Sequence, residues 1–342
     1  NYQIKVSLTP GNDGFWSKCR NDGYDIRFVD SDNTTILNYA RTSFNYASNT
    51  ATLWVKVPSV AAGTIKTIYM YYGKSDAADT SNFDNTLTKN FDEDSGSETL
   101  KALYHMDEGA GTTTADSSGN SNTLTRQACD WSTTDLTGFS TGKSLSFNGT
   151  NAYAQAADSA SLDIAGSTIT LDAWIRPTSV TGNRTIILKG NDSASSINYM
   201  LRLTDSRLSF IFYNGSLQSI STNLGVIAAN QTQHVVVTYN QAAGSNQVSF
   251  YVNGALVHQG TNTTLMLANA DAFFIGRNTA TGLNAFAGLI DEVRIYNRVL
   301  SATEVLRHYE HRSYYVNAPQ EAYIYEVETP PAYSFPVSNP TV

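Results

Sequence analysis

The stretch "GLIDEVRIYNRVLSATEV", residues 288–305, changes character half-way along. Its first half sets Ile290, Val293 and Ile295 among charged residues, as a strand that buries one face does. Its second half is a helix start. Ser301 is a good N-cap, Glu304 stands three residues on as its capping-box partner, and Leu300 and Val305 are spaced for the hydrophobic staple. A strand therefore runs into one short capped helix, and the Asp291-Glu292 pair lies inside the strand half.

The surrounding composition is that of antiparallel β-structure. Of 342 residues only 15% are charged, Tyr occurs 20 times, and Ser, Thr, Asn and Gly fill the spaces between apolar runs. The length allows two domains with cores of their own. A net charge of −8 without a Lys/Arg cluster excludes nucleic acid and anionic membrane as partners. No apolar run is long enough to insert into a bilayer. Cys19 and Cys129 leave two alternatives, a pair of buried thiols or a disulfide, which across so long a loop would contribute on the order of 4 kcal/mol. Seven Asn-X-Ser/Thr sequons permit glycosylation of a secreted protein without demonstrating it.

Period-two alternation fills residues 1–92. Tyr24, Ile26 and Phe28 share one face, as do Leu53, Val55 and Val57, and then Ile68, Met70 and Tyr72 before Gly73. The opening "NYQIKV" is already strand-like, so a further strand is expected upstream. Residues 93–100, at the end of a polar, acidic stretch, form a linker to a second domain over 101–312. There Asn253-Gly254 is a strong two-residue hairpin signal, with Asn214-Gly215 and Asp205-Ser206 as weaker ones. The segment 313–342 carries the alternating "EAYIYEVET" between Pro-containing stretches and reads as an exchanged strand or a linker. The expected fold is all-β: two β-sandwich, jelly-roll-type domains in series with one short C-terminal capping helix.

Two resemblances sharpen this. "DIRFVDSDNTTILNY", "WVKVP" and "IYMYYG" resemble a small extracellular β-domain family known as domain of unknown function 2341. "LYHMDEGAGTTTADSSGNSNTLT", "GKSLSFNGTNAYAQA", "STITLDAWIRPTS", "FYVNGALVH" and the opening stretch follow one another as in the laminin-G-like, concanavalin A-like jelly roll. That resemblance implies the terminal helix, which caps one end of the sandwich.

The Asp291-Glu292 pair has two readings: charges in an exposed turn, or part of a structural Ca²⁺ site. Ca²⁺ takes six to eight oxygens, and "MDEGAG" offers Asp107 and Glu108 while "ADSSGN" adds Asp116. The resemblance implies a calcium between Glu108, through its carbonyl, and Asp291. Glycosidase chemistry needs two carboxylates at a fixed separation. The Glu-x-Asp-x-x-Glu strand of sandwich glucanases is absent, since "TITLDAWIRP" holds Asp172 alone. His105, His234, His258, His308 and His311 show no metal spacing, and His308 and His311 are expected on a solvated helix surface. No nucleophile or phosphate motif occurs, so no enzyme is expected.

A ligand face is the remaining candidate. With Ile169, Leu171, Ala173 and Ile175 facing the core, Asp172, Trp174 and Arg176 share the other side, and Arg202 joins them by the same parity. Stacking on the indole with hydroxyls on the charges would hold a sugar; the alternative is that Trp174 roofs the sheet under a loop. The expected function is a secreted or cell-surface, non-enzymatic protein: a structural or adhesive subunit of a surface layer or filament, partnered by copies of itself, neighbouring surface proteins or glycans. The alternative is the carbohydrate-binding accessory region of a secreted polysaccharide-degrading enzyme.

Overall fold

A computed structural model describes residues 2–60, 65–86, 97–138, 142–191, 194–277 and 284–310. Two units divide the chain, one containing residues 1–89 and the other Asn90–His311. The first half of the expected linker, residues 93–96, and the tail with "EAYIYEVET" lie outside the described residues.

In the first unit two three-stranded antiparallel sheets share a core. Tyr2–Leu8, Thr50–Val57 and Tyr39–Asn45 form one, with Thr50–Val57 central; Ile36–Leu37, Arg27–Asp30 and Ile68–Tyr71 form the other, with Arg27–Asp30 central. Leu53, Val55 and Val57 meet Ile26, Phe28 and Leu37 in that core, and Ile68, Met70 and Tyr72 pack on its margin. Tyr24 does not join its expected partners. It is exposed, with the guanidiniums of Arg20 and Arg41 at 5.6 and 5.1 Å from its ring.

The second unit is a sandwich of two eight-stranded antiparallel sheets. The first sheet runs Asp130–Ser132, Ser144–Asn148, Ala287–Tyr296, Thr168–Pro177, Gln233–Asn240, Val248–Val252 and Ala255–Gly260, with Leu100–Tyr104 also paired to Ala287–Tyr296. The second runs Leu217–Ser221, Arg207–Tyr213, Ile197–Thr204, Asn183–Gly190, Phe273–Ile275, Tyr153–Ala156, Leu124–Gln127 and Thr113–Thr114. Between them Ile169, Leu171, Ala173 and Ile175 face Tyr199, Leu201, Leu203, Phe210 and Phe273 in one continuous core. Asn253 and Gly254, with φ of 51° and 75°, make the hairpin turn their sequence signals, and Asp205 and Ser206 make another at 48° and 64°.

The strand Ala287–Tyr296 is central, and it is interrupted. Opposite it, Asp172 pairs with Arg294 but Trp174 pairs with Asp291, so this strand holds one extra residue between those pairs. The extra residue is a β-bulge at Glu292, whose φ of 46° is left-handed. The bulge re-phases the strand, which is how Ile290, Val293 and Ile295 all reach the core despite their uneven spacing. Gly288, with φ 132°, is required where it stands, because a Cβ there would meet the Arg176 carbonyl oxygen at 2.2 Å.

No disulfide joins the cysteines. Cys19 belongs to the first core and Cys129 to the second, both as free buried thiols. Burial pushes Cys19 up to about 11 and Cys129 up to about 12. The Cys129 thiol donates to the Tyr153 carbonyl at 3.1 Å, behaving as a packed small hydrophobe.

Candidate functional site

The terminal helix, Ala302–Glu310, starts as its sequence dictates. Ser301 Oγ accepts from the Glu304 amide at 3.3 Å, and Glu304 Oε2 accepts from the Ser301 amide at 2.7 Å, closing the capping box. Glu304 also meets Arg298 at 2.8 Å. Leu300 and Val305 then bury against Leu100, Leu103, Val236, Tyr251 and Tyr296 on the outer side of the first sheet.

That docking settles the Trp174 face. Asp172 is fully buried, its Oδ1 at 2.9 Å from His234 Nε2 and its Oδ2 at 2.6 Å from His308 Nδ1 of the helix. Trp174 is 4% exposed and stacks on Tyr309 at 5.8 Å with planes 15° apart. The indole is therefore a roof support, covered by a helix, and the expectation of a sugar on Asp172 and Trp174 is corrected. The same contact corrects the expectation that His308 is a solvated surface residue. Arg176 is exposed at the end of the strand, away from any such pocket. Arg202 is in the other sheet altogether. Its neighbours Leu201 and Leu203 face the core, so Arg202 lies on that sheet's outer side.

The charge states in the roof follow from the bonds. Burial pushes the Asp172 carboxyl up, but the two imidazole N–H donors outweigh it and hold the carboxyl well below its usual range. Burial holds His234 neutral, below its ordinary value, against the pull of Asp172. A proton on Nε2 leaves Nδ1 as a bare acceptor, and that atom is buried without a partner.

Asp291 and Glu292 are both buried at the bulge, which rules out the exposed-turn reading. Glu292 meets Arg294 Nη2 at 3.1 Å and His105 Nδ1 at 3.0 Å. Asp291 accepts from the Leu136 amide at 3.2 Å, and its carboxyl is pushed well above the usual range by burial and by Glu292, Asp135 and Asp107. The side chains of the other two expected calcium residues make hydrogen bonds of their own, while the Glu108 carbonyl is the group expected to coordinate. Glu108 Oε1 accepts from the Ala115 amide at 2.7 Å, and Asp116 accepts from the amides of Leu103, Ser118 and Asn122 at 3.0, 2.9 and 2.8 Å. Asp107 and Asp135 are the carboxylates near Asp291 instead. A hard cation suits such a set by charge and donor type, although among the described residues no three His, Cys, Asp or Glu side chains are grouped as a metal site.

The outer side of the second sheet has a different character. Phe274, Leu188, Met200 and Ile211 lie in register across four adjacent strands and form a buried apolar row outside the main core. Beside it Thr185, Arg202, Ser209 and Ser221 form a second, polar row. Half-buried Tyr153 packs near Phe274 at 6.1 Å and carries the Arg277 guanidinium at 4.9 Å from its ring centre. An aromatic ring beside hydroxyls and guanidiniums is the chemistry of a sugar-binding surface.

Residues 148–306 match the family model described as the concanavalin A-like lectin/glucanases superfamily. The second module is concanavalin A-like. Residues 22–107 match domain of unknown function 2341, a stretch that runs on through the strand Leu100–Tyr104. No curated protein matches the chain. Among solved structures, the binding domain of Paraclostridial Mosquitocidal Protein 1 is similar at 18% identity and a TM-score of 0.50, over 62% of this chain and 52% of that one. The match thus spans about half of the toxin domain. The botulinum neurotoxin serotype G binding domain is similar at 19% identity and a TM-score of 0.47, over 61% and 50%. Domain 4 of AbnA, an extracellular arabinanase from Geobacillus stearothermophilus solved with arabinotriose, is similar at 21% identity and a TM-score of 0.45, over 61% and 97%. At 18% identity the first of these likenesses concerns fold alone.

Proposed function

We propose that this chain is part of a non-catalytic, extracellular surface protein whose concanavalin A-like module binds carbohydrate on the outer side of its second sheet. One observation carries the non-catalytic part. Two buried acids of the module are consumed internally, Asp172 by two imidazoles and Glu292 by Arg294 and His105, and the more exposed Asp158 and Asp163 are held by the buried Lys189 at 2.8 and 2.7 Å. Such acids hold the fold; they are not set out as the facing carboxylate pair that glycoside hydrolysis uses. The polar row and Tyr153 are what support binding there. No helix among the described residues is long and apolar enough to cross a membrane.

Assembly into a surface layer or filament is a second reading, favoured by the edge strand Ala255–Gly260. It ends the first sheet, holds no Asp, Glu, Lys or Arg, and exposes Leu256 and Val257. Edges of that kind accept another strand readily. A structural Ca²⁺ held at Asp291 belongs to the proposal as well, where Asp107 and Asp135 add their charge. When bound it would neutralise charges that otherwise repel.

Affinity electrophoresis in gels cast with neutral and acidic polysaccharides tests the binding reading. Retardation in at least one gel is expected, and Tyr153→Ala should abolish it. Free migration in every gel would refute the reading.

A further inference from the structure

Arg202 stands out among the cations of the second sheet. It is half-buried, yet its only hydrogen bond among the described residues is from Nε to Thr204 Oγ1 at 3.2 Å. No carboxylate among the described residues neutralises it, and burial alone pulls its guanidinium below the ordinary value. A guanidinium has five N–H donors in a planar fork, so four are left for something else. Its cross-strand neighbours carry hydroxyls and no charge. Thr185, directly opposite on one side, is buried with a hydroxyl that has no partner. On the other side Ser209 and Ser221 bond each other at 2.8 Å, and Ser209 donates to Thr204 at 3.2 Å.

We infer that the carbohydrate this surface takes is acidic, with a uronate carboxylate seated on the half-buried Arg202 fork and a neighbouring sugar hydroxyl on the half-buried Ser221. This rests on the carbohydrate-binding reading and narrows it. The physical reason is desolvation. A cation already partly stripped of water and left unpaired gains more from a planar anion than from a neutral hydroxyl, and the carboxylate fits the fork through two parallel bonds. The chain's net charge of −8 gives anions no general attraction, so any preference for a uronate must come from this local pairing.

The test is titration calorimetry of the whole chain with oligomers of galacturonic, glucuronic and guluronic acid, with their methyl esters, and with neutral galacto-oligomers. At least one free acid should bind ten-fold or more tighter than its own ester, and Arg202→Gln should erase that difference with the circular dichroism spectrum unchanged. The ester comparison needs no variant, so it stands even if Arg202→Gln misfolds. Equal affinity for acids, esters and neutral oligomers would overturn the inference and leave the carbohydrate reading intact. Binding of none of them, together with free migration in the polysaccharide gels, would overturn both.

Discussion

His308 Nδ1 lies 2.6 Å from Asp172 Oδ2, which ties the terminal helix to the middle strand of the first sheet through a carboxylate with no access to water. The partner bond from His234 is 2.9 Å, so one buried charge is held by two rings from two elements. Removing one ring leaves that charge under-bonded in an apolar surround. His308→Ala should cost roughly 3–5 kcal/mol in urea denaturation. In a double-mutant cycle with Asp172→Ala the two losses should fall well short of adding, because the second change removes the stranded charge.

The same cluster sets an acid limit. Burial lowers His234 from its ordinary 6.5, so below that pH the unfolded chain binds a proton that the native state refuses, and stability falls as pH falls. Asp172, lowered from 3.8, acts with the same sign: its contribution is full above the unfolded value and is lost progressively as pH drops beneath it. Melting temperature should therefore decline in two stages, the first beginning near 6.5. Replacing His234 with Gln should remove the first stage and leave the second.

Asp291 behaves in the opposite sense. Its carboxyl is raised above 3.8, so its stabilising contribution is present in acid and fades as pH rises. Calcium bound there would cancel the loss. Adding Ca²⁺ at a hundred-fold excess over its Kd should stabilise by about 2.7 kcal/mol, more at about pH 8 than at about pH 5, and Asp291→Asn should abolish the effect. An identical melting curve in Ca²⁺ and in a chelator would remove the metal from the account.

Ser301 donates to Glu304 and accepts from its amide, so Ser301→Ala should cost about 1 kcal/mol by thermal unfolding. Arg298 still engages Glu304 in that variant, which is why the helix should stay docked.

Much of this fold could be read from the residues. Alternation at Leu53, Val55 and Val57 and at Ile169, Leu171, Ala173 and Ile175 names the core faces correctly, and Ser301 with Glu304 places the helix start. The bulge at Glu292 was hidden, because a left-handed Glu in a strand leaves no compositional mark; the uneven spacing of Ile290, Val293 and Ile295 was its one trace. The Trp174 face failed for another reason. Parity says which side of a sheet a residue is on, and it is silent about what lies over that side. It also cannot say which of two sheets a strand joins, so Arg202 was assigned to the wrong one while its outward orientation held.

Trp174→Phe separates the corrected reading from the original. It should destabilise the module, since the stack on Tyr309 shrinks, and leave polysaccharide retardation unchanged.

The most direct measurement incubates the protein with a panel of neutral and acidic polysaccharides and records both retention and the release of reducing ends. Retention without release is the result this account predicts. Reducing ends appearing with time, or no retention on any polymer, would contradict it.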